Sequence, residues 1–247
     1  MKRTKLLTLS LLSASLALAA HAAVTPLRPN NLATHVFQAQ GRPLTLPSQA
    51  APTAIVASYL RGKGQSDATV RSLRLKSESP AWRSSQHHLR MTQEVGGMAV
   101  YDSYVKATVN HRGQLVSVIA NIAPVPASGV ARASIDERAA LAAAFRALKI
   151  PAGMPQVVGR NGETTSFAKG SLFLENPMVT KVAIPMSDAT MSTGYLVETW
   201  RSIGNRLHET LVDGNGRVVE VVSRTNTDSY NVFAIDPEKS TQATVAG

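Results

Sequence analysis

The sequence predicts an α+β fold made of two small units, each with a helix packed on an antiparallel β-sheet. Three observations carry that expectation. Between His87 and Ile122, apolar and polar residues alternate with period 2 around two glycine turns. Between Ser134 and Ile150, apolar residues recur at helical spacing. Residues 124–132 lie between these two stretches and form a proline-, glycine- and serine-rich joint.

The N-terminus sets the expected compartment. Lys2, Arg3 and Lys5 precede an apolar run from Leu6 to Ala20, and Ala20-His21-Ala22 is an A-x-A cleavage signal. Residues 1–22 are expected to be a signal peptide of Gram-negative type, cut between Ala22 and Ala23, and the mature chain secreted or periplasmic. The run is too short for a comfortable span, so no stable membrane insertion is expected once it is removed. There is no cysteine, so packing must hold the fold without disulfides, and no thiol nucleophile is available.

Residues 23–50 carry Pro26, Pro29, Pro43 and Pro47 with no sustained period, and read as an irregular lead. The first unit is expected over residues 51–123. Pro52 suits a first helical turn, Ile55, Val56, Tyr59 and Leu60 fall on one helix face, and Gly62 and Gly64 stop it. Val70, Leu73 and Leu75 fit a second short helix or an extended entry to the sheet. Leu89, Met91 and Gln93 then alternate with Arg90, Thr92 and Glu94, and Gly96-Gly97 makes a hairpin turn. Ala99, Tyr101, Val105, Ala107 and Val109 are expected on one face and Asp102, Lys106, Thr108 and Asn110 on the other. After a turn at Gly113, the β-branched segment from Leu115 returns as a third strand.

The second unit is expected over residues 133–236, with 237–247 as a C-terminal tail. Ser134 and Glu137 have capping-box spacing, Leu141, Phe145 and Leu148 form the apolar stripe, and Pro151 ends the helix. Asn161-Gly162 signals a hairpin, and the segments at 171–175, 178–186 and 194–203 read as strands. A last hairpin turns at residues 213–216.

No constellation for chemistry emerges. His208-Glu209 opens an H-E-x-x-H pattern, but Val212 holds the fifth position and the segment has strand character, so His208 is expected on an exposed strand face. His87 and His88 are adjacent and would point to opposite sides of a strand. The DGNGR turn places Arg217 where a calcium loop needs an acid or amide. There is no nucleophile elbow, Walker motif or dinucleotide fingerprint. Tyr195 and Trp200 read as core or sheet-face aromatics. The formal charge of +10 falls to +7 without the three signal-peptide cations. Its cations are scattered singly, which argues against nucleic acid and for a basic surface or an acidic partner. No enzyme activity, metal or cofactor is expected.

The segment from Leu89 to Ile122 resembles the fungalysin/thermolysin-type propeptide (FTP) domain, with Arg90, Gln93, Gly96, Gly97, Met98, Val100 and Gly113 at matching places. The helix from Arg132 to Leu148 with the stretch from Gly194 to Pro237 looks like the PepSY-like domain that often follows it. The resemblance spans residues 51–237 and implies the prosequence of a fungalysin-like metallopeptidase: an inhibitor and intramolecular-type chaperone of a zinc catalytic domain. That domain is not in this sequence, so the implied partner acts in cis in a longer parent or in trans, and zinc belongs to the partner. A free-standing periplasmic PepSY-like binding or regulatory protein is the alternative, and an enzyme with an unrecognised His/carboxylate site a third reading. Position alone marks Asp102, Lys106, Tyr230, Asn231, Val232, Phe233 and Asp236 as candidate partner contacts.

Overall fold

A computed structural model describes residues 25–26, 34–81, 86–151, 153–225, 229–233 and 242–246. The cleavage site at Ala22 and Ala23 lies outside the described residues, as does Asp236.

The first elements follow the sequence closely. Strand β1 (Thr34–Gln38) lies within the segment expected to be irregular, and pairs with β6 (Leu115–Asn121). Helix α1 (Pro52–Gly62) begins on its proline and buries Ile55, Val56 and Leu60. Helix α2 (Asp67–Arg71) is capped by Ser66, whose hydroxyl accepts from the Thr69 N–H, and runs directly into β2 (Leu73–Ala81). Strand β3 (Gln86–Val95) pairs with β2 on one side and β5 (Tyr104–Val109) on the other; β5 then pairs with β6. The apolar positions of these strands close over α1 in one cluster around Val56, Leu60, Val105, Leu115 and Val118.

Ala99 and Tyr101 depart from the expected alternation. Strand β4 (Met98–Val100) meets β3 only at its last residues, Glu94 and Val95, and the chain turns through Asp102 at φ 55° before β5. That turn resets the phase. Val100 is buried with Ala123, Ala183 and Met191, while Ala99 and Tyr101 face the other side.

In the second half, α3 (Glu137–Ala147) buries Leu141 and Phe145 as the stripe requires. Its cap is Asp136, which accepts from the Ala139 N–H at 2.8 Å, and Ser134 instead donates to the Gly214 carbonyl. Strands β8 (Val157–Asn161) and β9 (Thr164–Phe167) turn on Gly162-Glu163, one residue later than the Asn-Gly signal suggests, with Gly162 at φ 54°. Strands β10 (Met178–Pro185), β11 (Met191–Arg201), β12 (Arg206–Val212) and β13 (Val218–Ser223) follow as an antiparallel meander. The expected strand at 171–175 forms only an isolated bridge, Phe173 to Arg201.

The expected fold class needs correction. The chain is predominantly β, and thirteen of its strands form one continuous sheet rather than two separate helix-on-sheet units. The join is non-local. β4 lies between β3 and β10, pairing in parallel with β10 at Val182↔Ala99 and Ala183↔Val100. β7 (Val130–Ala131), inside the expected joint, pairs in parallel with β11. Followed through these registers, the side that carries α1 continues into the side that carries α3. Three helices therefore cover one face of one sheet; no described helix covers the opposite face, where Val182, Ile184 and Leu211 are buried among Tyr101, Met186, Leu196 and Val219 and the β2–β6 part stays open.

The C-terminal strands β14 (Ser229–Phe233) and β15 (Gln242–Ala246) form their own two-stranded sheet. No helix among the described residues is long and apolar enough to cross a membrane.

Candidate partner-binding face

The face opposite the helices carries charged side chains on both of its halves. On the β2–β6 half, one row of side chains runs across the strands as Ser77, Arg90, Lys106 and Ile119, each the register partner of the next. A second row runs Ser79, His88, Thr108 and Ser117, with His88 Nδ1 and Thr108 Oγ1 3.1 Å apart. The rows line a trough of about 380 Å³. Lys106 Nζ stands 5.2 Å from the centroid of the Tyr104 ring. Among the described residues no carboxylate lines the trough. Glu78, the acid on β2, pairs with Leu89 and so faces the helix side, where it meets His87 Nδ1 at 2.7 Å.

The β11–β13 half of the same face is acidic. Glu198 and Glu209 are directly opposed across β11 and β12, and Glu220 lies on β13. Arg224 donates to Glu209 through Nε at 2.7 Å, and the Tyr101 hydroxyl donates to Glu220 at 3.3 Å. Burial first, then the Glu209 charge, raises the Glu198 carboxyl above its ordinary range. Burial, then the charge and hydrogen bond of Glu220 and the charges of Asp102 and Glu209, push the Tyr101 hydroxyl up strongly.

A comparable cavity of about 390 Å³ lies on the helix side, where the start of α3 meets β10 and β11. Its Glu137 and Lys181 are already matched. Lys181 Nζ is 2.9 Å and Arg160 Nη1 3.7 Å from Glu137 Oε1, and the Tyr195 hydroxyl donates to the Ile135 carbonyl. Burial raises Glu137, but the Lys181 hydrogen bond, its own backbone N–H and the two cations together hold it below its ordinary value. These contacts fasten α3 to the sheet and leave little charge for a ligand. The open trough differs in that no described carboxylate lines it beside its cations.

Of the sequence-marked contacts, Lys106 is central to the trough. Asp102 lies at the bend beside Tyr101, its carbonyl accepting from Asn121 Nδ2 at 2.6 Å. Tyr230, Asn231, Val232 and Phe233 lie on β14 and pair with Val245, Thr244, Ala243 and Gln242. Lys106 thus belongs to the large sheet, and the marked tail residues to a separate two-stranded one. Arg90, the register partner of Lys106, went unmarked as a contact because only strand pairing brings the two cations together.

His208 is not on the exposed face expected for it. It sits on the helix side opposite Thr199, half-buried, and its Nδ1 is buried with no hydrogen-bond partner among the described residues. Burial, then the charges of Arg206 and Arg201, lower its pKa from 6.5. The folded chain therefore binds this proton less well than the unfolded chain does. The stability involved is fully present above the unfolded value and is lost as pH falls through the folded one. A melting temperature followed from about pH 7.5 to about pH 5 is expected to fall, and His208→Gln to flatten that fall. An unchanged slope in the variant would assign the fall to other groups.

The DGNGR turn is held by its own acid, since Asp213 Oδ1 accepts from the Asn215 and Arg217 N–H groups at 2.9 Å each. Trp200 is a sheet-face aromatic, 36% exposed, whose Nε1 donates to Asn205. Among the described residues no three His, Asp or Glu side chains gather as a metal site would need.

No family model and no curated protein matches the chain. Among solved structures it is similar to the Bacillus megaterium YpeB C-terminal domain, at 10% identity over 76% of this chain and 70% of that chain, with a TM-score of 0.29. At that score the likeness carries no argument about fold or activity. The propeptide resemblance rests on the residues quoted for it.

Proposed function

We propose that the chain is an exported, non-catalytic binding module of propeptide type, which inhibits a zinc metallopeptidase and templates its folding. The observation that supports this reading is the outer edge of β13. The strand reads Val218-Val219-Glu220-Val221-Val222-Ser223, pairs with β12 on one side, and has no strand on its other side among the described residues. Edge strands are ordinarily guarded by charge or proline. β2, which pairs only with β3 among the described residues, carries Arg74, Lys76, Glu78 and Pro80 in that role. β13 carries one acid among four valines, and Val221 is 42% exposed. Such an edge offers main-chain donors and acceptors to an incoming strand. A preformed strand also suits a folding template, because non-local β pairing is the slow step it would assist.

The test is a mixing experiment with the chain from Ala23 to Gly247. A fungalysin-like catalytic domain is denatured and refolded with and without it, following recovered and inhibited peptidase activity. Raised recovery or stoichiometric inhibition is expected. The Val221→Lys variant is expected to keep its circular dichroism spectrum and melting temperature, because an exposed substitution changes stability by only about 0.5 kcal/mol. It is expected to weaken inhibition about tenfold, because a charge now sits on the pairing edge. A folded chain that changes neither yield nor activity would sink the proposal and favour a PepSY-like regulatory protein with other partners.

A further inference from the structure

We infer that the trough on the open face of β2, β3, β5 and β6 is a binding site for an acidic, extended polypeptide segment, held by Arg90 and Lys106. The argument begins with a cost. Arg90 and Lys106 are direct cross-strand neighbours, and like charges in that position destabilise a sheet. Among the described residues no carboxylate in the trough offsets the repulsion, since Glu78 is committed to His87 on the other face, and Lys106 has only the Tyr104 ring beside it. A trough that keeps two opposed cations with no described carboxylate in its lining is poised to accept one from outside.

The surroundings define the ligand. Hydroxyls from Ser77 and Ser79 on β2, Thr108 on β5 and Ser117 on β6 flank the cations on three strands, donors spread for a chain of oxygen acceptors rather than for one small anion. Single-stranded nucleic acid would need a platform of aromatic rings. Among the described residues the trough has His88, whose ring nitrogen faces Thr108, and Tyr104 nearby, over which the Lys106 ammonium already stands. A polyanionic saccharide would have no use for the apolar end of the row, where Ile119 pairs with Val36, 62% exposed. A polypeptide carrying carboxylates followed by an apolar side chain satisfies both ends. The inference deepens the partner-binding reading above and rests on it for its biological use. The binding itself is measurable without any peptidase.

The probe is fluorescently labelled poly-L-glutamate, titrated by anisotropy against the chain from Ala23 to Gly247, with heparin and inorganic phosphate as separate arms. Binding is expected to weaken at least tenfold in Arg90→Gln/Lys106→Gln. It should persist in Arg90→Lys and in Arg138→Gln/Arg146→Gln, which removes the same net charge from exposed positions on α3. Arg90→Gln alone should raise the melting temperature while weakening binding, because it relieves the repulsion; a purely structural residue would lower both. Equal weakening by the two double variants would reduce the effect to net charge and overturn the site. Heparin or phosphate binding with no poly-L-glutamate binding would overturn the polypeptide assignment. Failure here leaves the peptidase-refolding result standing, and the converse holds.

Discussion

Replacing Gln93 with leucine will lower the stability of the whole chain by about 3 kcal/mol, because two buried backbone groups then lose their only protein partner among the described residues. Gln93 has no exposed surface. Its Nε2 donates to the Ala123 carbonyl at 2.6 Å and its Oε1 accepts from the Ala123 N–H at 2.9 Å. Ala123 lies just beyond β6, outside any strand, so no sheet partner replaces the amide. In a chain of this size the loss corresponds to a fall of about 6–12 °C in melting temperature. Gln93→Glu gives a sharper test. The ionised carboxylate accepts twice and cannot donate, so its oxygen repels the Ala123 carbonyl near neutral pH. Protonated, it regains one donor and one acceptor and imitates the amide. The deficit of Gln93→Glu relative to the wild-type chain is therefore expected to shrink as pH falls. A deficit independent of pH would mean that the side chain fills space and bridges nothing.

Gly113→Ala is the second large effect, and its cause is different. Gly113 turns β5 into β6 at φ 67°, and a Cβ built there would lie 1.8 Å from the Ser48 carbonyl oxygen. The left-handed backbone alone costs a residue with a side chain about 1–2 kcal/mol. The clash adds to that, because backbone must move: Ser48 N–H donates to the Arg112 carbonyl, and Leu44 N–H to the Leu115 carbonyl at 2.7 Å. The lead is stitched to β6 and has little room to retreat. The expected total is about 3 kcal/mol or more, read as a shifted denaturation midpoint. Gly97→Ala isolates the first part, since Gly97 has φ 82° and nothing within 4 Å of its added Cβ. Equal losses at the two positions would show that the Ser48 contact is soft.

Both residues were legible in the sequence in part. Gln93 and Gly113 stand in the motif that resembles the propeptide domain, yet motif position gave no physical role for either. Gly113 read as a permissive turn residue, which it is; its close approach to Ser48 depends on a segment sixty-five residues earlier in the chain. Gln93 read as one apolar-side position of an alternating strand, and only the structure shows what its amide reaches. His208 misled because strand alternation says which side a residue takes and not how deeply that side is covered.

Local order was determined by the sequence itself. Pro52 and Gly62 bound α1, Leu141 and Phe145 set the buried side of α3, and the alternation from Leu89 to Gln93 set the phase of β3. Each depends on residues within about two turns or one strand of one another, where periodicity and turn chemistry act directly. The tertiary structure alone decided that two stretches of strand become one sheet. The pairing of Ala99 and Val100 with Val182 and Ala183 joins segments more than eighty residues apart, through a strand only three residues long. So short a strand has no period of its own. The register of β3 on β5 likewise sets Arg90 against Lys106, because register, which sequence spacing does not encode across separate strands, chooses the neighbours.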